Sequence, residues 1–406
     1  MKLTQSRQNA LPALASTLAS TRASALASTL GAAVAALAMM VSACGMSSSG
    51  DGPPAPAAGA PMPTSGAPAA DPGTTTPVGA SGTSAPPVVA GAPIVAPERT
   101  WTWVDVAGSK CADGSPTGIG VNLTKDSDDV LVFLEGGGAC WDAASCWGPA
   151  PTAFNVLTGY GKTQLDTDPQ IPAIYLLDRA DSDNPFRNKN IVYVPYCTGD
   201  SFSGDTVTTF NYLGVDHETH FAGHRNINLY LSRLLGTFPK AKRVWLAGDS
   251  AGGFGASFNF GTFQEAFTAA RVDVIDDSGQ PIDPDPAKWA QWRSVWNMQL
   301  PADCADCTKG PSAFIDYYRA KYPTNRFGLI SFDYDVVIAP FMSLTLTQFH
   351  DELTAMLDHF DTSFTNGHYF VLPGASHVGL VTPTTELKTW VKAMVSDSTN
   401  WDSVRP

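Results

Sequence analysis

Gly248-Asp249-Ser250-Ala251-Gly252-Gly253 places one serine between glycines in the order G-x-S-x-G. A serine hydroxyl attacks an acyl carbonyl once a neighbouring base takes its proton. Glycines on both sides suit a sharp strand-to-helix turn, where a side chain at either flank would crowd the backbone. The apolar run Val244–Ala247 comes just before, and a helical pattern opens at Ala251. The N-terminal N–H groups of that helix would then face the reacting centre. A second run able to do chemistry is Glu135-Gly136-Gly137-Gly138-Ala139, directly after the apolar stretch Val130–Leu134. Glycines at a strand end let backbone N–H groups point into a pocket, where they can meet the charge that develops on a carbonyl oxygen. A phosphate-binding turn is the competing reading of these glycines. No Gly-x-Gly-x-x-Gly follows, and no Lys-Ser/Thr closes a P-loop.

The base must come from seven histidines. His377 fits, because it follows the apolar strand pattern Tyr369–Leu372 and precedes the last helical pattern. His368 opens that strand, at the wrong end of the sheet. His217, His220 and His224 fall in a polar stretch read as a solvated loop; they lack the His-Glu-x-x-His spacing of a zinc site, and no metal is expected. The acid that orients the base should lie between serine and histidine. Two candidates, Asp333 and Asp335, end the strand pattern around Leu329–Phe332 and share one face of an extended chain, so alternation does not separate them.

The elements that must hold these residues are legible as short apolar runs with helical patterns between them. Strands are expected at Val130–Leu134, Ile191–Pro195, Arg243–Ala247, Arg271–Ile275, Phe327–Phe332 and His368–Leu372. Helices are expected at Asn226–Leu235, Ala251–Phe267, Ala287–Asn297, Ser343–Phe360 and Thr384–Val395. This alternation predicts an α/β fold, a mostly parallel sheet with helices on both faces. Active sites of such sheets lie beyond the carboxyl ends of the strands. Ser250, His377 and the glycine run all fall just after one.

The 406 residues divide by composition. Residues 1–44 read as an export signal: Lys2, Arg7 and Arg22 precede an uncharged apolar run from Leu30 to Val41. That run, about a dozen residues, is too short to span a bilayer core of roughly 30 Å. It ends in Val41-Ser42-Ala43-Cys44, which resembles a bacterial lipobox with Cys44 as the lipidated residue. Residues 45–97, rich in Pro, Ala, Gly, Ser and Thr, read as a disordered linker with too few large apolar side chains to offset their ordering entropy. Residues 98–406 then form a single catalytic domain, exported and held at the cell envelope through the lipid. The chain carries a net charge of −13 and becomes more acidic without the signal, which argues against nucleic acid as a partner.

Beyond Cys44 there are six cysteines. In an exported domain an even number suggests disulfides, with fifteen pairings open. The close pairs Cys140/Cys146 and Cys304/Cys307 invite local bridges and leave Cys111 with Cys197. A zinc site at Cys304 and Cys307 lacks a second Cys-x-x-Cys.

Three segments together resemble the pectin acetylesterase family: Leu134–Cys140, Pro195–Asp200 and Gly248–Gly253, within a match that extends over most of residues 99–390. The resemblance implies an α/β-hydrolase-like fold and a serine esterase that needs no cofactor. It assigns Ser250 as nucleophile and His377 as base, and favours Asp335, after Tyr334, as the acid. It places oxyanion donors at the backbones of Gly137, Gly138 and Ala251. It is also in line with Cys140–Cys146 and Cys111–Cys197 bridges. One departure lies beside the implied acyl pocket: many members have tryptophan before the glycine-motif cysteine, whereas here Ala139 precedes Cys140 and Trp141 follows it. The implied substrate is an acylated glycan, with O-acetyl or another short acyl group removed, or another ester. The domain's acidity is awkward for polygalacturonate. Two other readings use the same residues differently: a catalytically silent surface-binding lipoprotein, and a serine peptidase on the same fold.

Overall fold

The computed structural model describes residues 88–406. The expected signal peptide, Cys44 and most of the expected linker lie outside them. Eight strands form one sheet: β1 Thr102–Lys110, β2 Pro116–Asn122, β3 Val130–Leu134, β4 Asn190–Val194, β7 Arg243–Asp249, β8 Arg271–Asp277, β9 Phe327–Asp335 and β10 Gly367–Ser376. Their order is β1-β2-β4-β3-β7-β8-β9-β10. From β4 to β10 every neighbouring pair is parallel, and β1 and β2 extend the sheet antiparallel at one edge. This is an α/β-hydrolase-like arrangement, as the strand and helix patterns predict.

The continuous apolar strands are buried on both faces. In β3, Val130, Val132 and Leu134 belong to one core, while Leu131 and Phe133 belong to the other. Period-2 alternation therefore feeds two cores from one strand. Helices α1 Gly223–Thr237, α2 Ala251–Ala266, α3 Pro286–Trp296, α4 Pro311–Lys321 and α5 Leu346–Ser363 pack in the first core, and α6 Thr385–Val395 packs in the second. Helix α5 starts three residues later than its periodicity suggests, because Thr345 and Gln348 form a capping box at that point. Among the described residues no helix is long and apolar enough to cross a membrane.

Two expectations are corrected. Residues 88–97 are not free linker: Gly91 N donates to Ser232 O (2.7 Å), Ile94 N donates to Thr237 Oγ1 (2.8 Å), and Ile94 is buried, so this segment is strapped along α1. Nor do the clustered histidines form a loop. His217 and His220 lie on β6 Val215–Phe221, which pairs with β5 Thr206–Tyr212 in a separate hairpin; His224 falls in the first turn of α1. Leu213 and Gly214 both take positive φ at its two-residue turn, the geometry that matches strand twist in tight hairpins. His217 stacks on Trp147, His220 pairs with Glu218, and His224 Nδ1 meets Asn259 Oδ1.

Candidate active site

Strand β7 delivers Ser250 at a strained turn, with φ 53° and ψ −120°. The chain can afford it because Gly252 runs against β3: a Cβ there would lie 2.0 Å from Leu134 O. Ser250 N donates to Asp277 O (2.7 Å), which ties the serine to the end of β8. Its side chain faces an open cavity.

Strand β10 delivers His377, and β9 ends at Asp335. His377 Nδ1 lies 2.8 Å from Asp335 Oδ2 and 3.0 Å from Oδ1. Asp335 is fully buried and accepts further bonds from Val337 N (2.9 Å), Ile338 N (2.8 Å) and Gln280 Nε2 (3.2 Å). Four groups thus fix one carboxylate, so the imidazole it holds is aimed by the fold. Asp333 is not the partner of His377. Burial opposes a charge on His377, but Asp335, with Asp277 and Asp249 farther out, outweighs it and holds the imidazole pKa above its ordinary value.

Asp277 carries no motif signal, yet it braces both Ser250 and the segment after His377. Its carboxylate accepts Gly379 N (3.0 Å) and Leu380 N (2.7 Å), immediately after His377, while its carbonyl takes Ser250 N. Ser278 Oγ accepts Val378 N (3.1 Å). Ser250, Ser278 and Val378 all adopt positive φ, a concentration of backbone strain of the kind found at functional sites.

The glycine run turns at the end of β3. Gly138 adopts φ +76°, and a Cβ there would lie 2.0 Å from Thr152 O, so only glycine fits. Gly136 N donates to Asp249 Oδ1 (3.0 Å), and Gly137 O accepts from Phe154 N (2.8 Å). Gly138 pairs with Ala153 in an isolated antiparallel bridge, which turns Ala139 N–H toward Thr152 O; among the described residues the N–H groups of Gly137 and Gly138 meet no backbone acceptor. The cavity wall contains Gly138, Ala139 and Ala251 but not Gly137. Of the three expected oxyanion donors, Gly138 and Ala251 therefore border the cavity beside Ser250.

That cavity is narrow, with a volume of about 40 Å³. Phe254 and Phe258 line it from α2, and Trp289, Trp292 and Trp296 from α3. Ile338, Phe341 and Met342 close it after Asp335. The spacing of the three tryptophans, three and then four residues apart, marks one helix face; it was a readable sign of burial, but not of a cavity. Trp141, the displaced tryptophan, packs against Trp292 and Phe341, behind this wall. Lys288 Nζ donates to Phe341 O (2.6 Å) and Ser343 Oγ (2.8 Å), joining α3 to the closing turn.

The six cysteines pair as Cys111–Cys197, Cys140–Cys146 and Cys304–Cys307. The first two flank the glycine run and the Tyr196 turn that supports it.

A parallel sheet with a strained serine after one strand, a carboxylate-bound histidine after another and free N–H groups after a third defines an α/β-hydrolase-like protein. The chain belongs to the pectinacetylesterase family, whose profile matches residues 99–325. The match includes Ser250 and the glycine run and stops before Asp335 and His377. The palmitoleoyl-protein carboxylesterase NOTUM of Homo sapiens is 30% identical over 182 residues, 43% of this chain and 34% of its own length. The Drosophila melanogaster palmitoleoyl-protein carboxylesterase NOTUM is 27% identical over 243 residues, 55% of this chain and 35% of its own. The matched stretch thus spans about a third of the length of these curated relatives. Among solved structures, that of the Wnt deacylase Notum from Drosophila has the same fold, with a TM-score of 0.52 at 22% identity over 72% of this chain and 88% of that one.

Proposed function

We propose that the protein is a serine carboxylesterase for esters whose acyl group is larger than acetyl. One observation supports the reading: Ser250, Gly138 and Ala251 border a cavity walled by aromatic side chains, and Asp335 holds His377 at the end of a neighbouring strand of the same sheet. In the first step His377 Nε2 takes the proton of Ser250 Oγ, which bonds to the ester carbonyl carbon. Asp335, on Nδ1, keeps the imidazole in the tautomer this needs. The carbonyl oxygen gains its negative charge against Gly138 and Ala251 N–H. His377 then passes the proton to the departing alkoxide. Water, deprotonated by the same nitrogen, releases the acid and restores Ser250.

The family's description supports removal of O-acetyl groups from a polysaccharide, the substrate expected from sequence. The aromatic lining of the cavity favours a longer, apolar chain. The relatives' names point the same way. Hydrolysis of 4-nitrophenyl acetate, butyrate and octanoate by the purified protein and by Ser250→Ala tests both. We expect kcat/KM for octanoate to exceed that for acetate by at least about tenfold, since each buried methylene contributes roughly 0.8 kcal/mol. Ser250→Ala should be inactive. A preference for acetate returns the reading to O-acetyl removal; activity that survives Ser250→Ala removes the serine mechanism altogether. Turnover of peptides but not esters would favour the peptidase reading, and inertness on all substrates the silent binding lipoprotein.

Export and lipid anchoring complete the proposal. Residues 1–44 would direct the chain out of the cytoplasm and Cys44 would hold it at the envelope. A Cys44→Ala chain should move from the membrane fraction to the soluble fraction; an unchanged distribution rejects the anchor.

A further inference from the structure

Glu135, the first residue of the glycine run, is buried, 3% exposed, and stands among carboxylates. Asp168 approaches it from the segment before β4, and Asp249 from the end of β7. Tyr193 on β4 and Tyr160 complete the titratable groups around it, with Tyr196 beyond. No lysine or arginine is among the groups that act on Glu135.

The hydrogen bonds are divided unequally. Asp168 accepts from the Tyr160 hydroxyl, from the Tyr193 hydroxyl (3.0 Å) and from Gln170 N (2.8 Å). It is also only half-buried and borders a surface groove with Trp101 and Pro172. Glu135 receives Tyr196 N at Oε2 (2.7 Å), a long bond from Gln170 Nε2 at Oε1 (3.4 Å) and a share of the Tyr193 hydroxyl, whose shorter bond goes to Asp168. Gln170 Oε1, in the same cluster, is buried and receives none. Acceptors outnumber donors here, so the cluster favours one additional proton. Burial without enough donors penalises the charged form of a carboxyl, and Glu135 is the buried, donor-poor member of this cluster. The proton therefore resides on Glu135. Burial first, then Asp168, push its pKa well above the usual carboxylate range, against the Tyr196 N–H that favours the charged form.

We propose that Glu135 is a positioning residue that works as a neutral carboxylic acid, clamping the oxyanion loop to the Tyr196 turn without placing a negative charge beside the developing oxyanion. The clamp is direct. Tyr196 N is bound to Glu135, and the Tyr196 ring stands where a side chain on Gly137 would be, 2.8 Å from its Cβ position. An ionised Glu135 would lie within the loop whose N–H groups must receive negative charge. The proposal rests on the esterase reading for its catalytic consequence, but not for its protonation state.

Thermal unfolding of the whole protein and of Glu135→Gln from pH 4 to 9 tests it. The unfolded carboxyl ionises near pH 4.5 and the folded one only at higher pH. Wild-type stability is therefore lost progressively as pH rises above about 4.5, and the glutamine chain escapes that loss. The Tm of Glu135→Gln relative to wild type should grow by roughly 3 °C or more across this range. A constant difference, or one that shrinks, overturns the proposal whatever the enzyme's activity. With the best ester from the panel above, Glu135→Ala should lower kcat about 100-fold with little change in KM, and Glu135→Gln should recover most of it. A glutamine variant as impaired as the alanine variant would show that the charge is required, and the neutral-acid role would be rejected. Loss of all Ser250-dependent turnover defeats the esterase reading instead and leaves the thermal result standing.

Discussion

Strands β7 and β8 carry charge at both ends, and the two ends handle it in opposite ways. At the amino ends, buried Asp273 is met by Arg243 and Arg271, which also reach Asp397. At the carboxyl ends, Asp249, Asp276 and Asp277 are buried and form no ion pair with lysine or arginine among the described residues. Burial pushes Asp249 and Asp276 up to about 7, with the neighbouring Asp277 adding to both shifts, and burial pushes Asp277 up to about 6. The first arrangement neutralises its charge and tolerates its environment. The second retains carboxyl groups at a cost in stability and uses them to hold backbone N–H groups of the oxyanion loop and the His377 segment. Perturbed carboxyls concentrated at one end of a sheet are a mark of a functional site.

The largest effect should come from the functional end. Asp335→Asn leaves a hydrogen-bonding group of the same shape but favours the wrong imidazole tautomer, and kcat should fall by up to about 10,000-fold. Activity requires neutral His377, so wild-type kcat/KM rises with pH through a midpoint above 6.5, because the folded pKa is raised. With the carboxylate gone, the residual activity should show that midpoint at lower pH. A pH–rate profile of both proteins checks the direction; an unmoved midpoint would mean that Asp335 does not set the charge on His377.

The same change made within one strand should have opposite signs. Asp273→Asn removes the charge facing two arginines and should cost about 2 kcal/mol at neutral pH, less than a fully buried pair because Asp397 remains. Asp276→Asn should instead stabilise slightly. The folded Asp276 pKa, about 7 against 3.8 unfolded, means that wild type loses stability as pH rises from about 4 to 7, a loss the asparagine avoids. Its amide can still accept from Gly279 N and donate to Ser257 Oγ. Denaturant melts at pH 5 and 8 would show the gap between the two variants widening at the higher pH. If both destabilise equally, the two ends do not differ as described.

The sequence made the catalytic side of this contrast readable where chemistry demanded a local pattern. The Ser250 elbow, the glycine run and His377 after its strand are short-range signals, and the structure sets each at a strand's carboxyl end. Asp335 could not be separated from Asp333 by alternation, because both stand at the end of β9. The family resemblance favoured Asp335, and the approach of His377 with the N–H groups of Val337 and Ile338 distinguishes it physically. Strands β1 and β2 were missed because their alternation is broken by Gly108, Gly118 and Gly120 and by a register shift. Helix α4 went unread although Pro311 marks its first turn. The roles of Glu135 and Asp277 depend on partners 61 and 103 residues away. No local motif encodes such pairings.

Asp277 has one more consequence. Serine and histidine arrive on separate strands, and their spacing would ordinarily accumulate the positional error of two independent supports. Here both are referred to one datum: the carbonyl of Asp277 locates the serine, and its carboxylate locates the segment after the histidine. When the end of β8 shifts, the two reacting groups travel together, so motion of that strand is common to both and cancels in the distance between them.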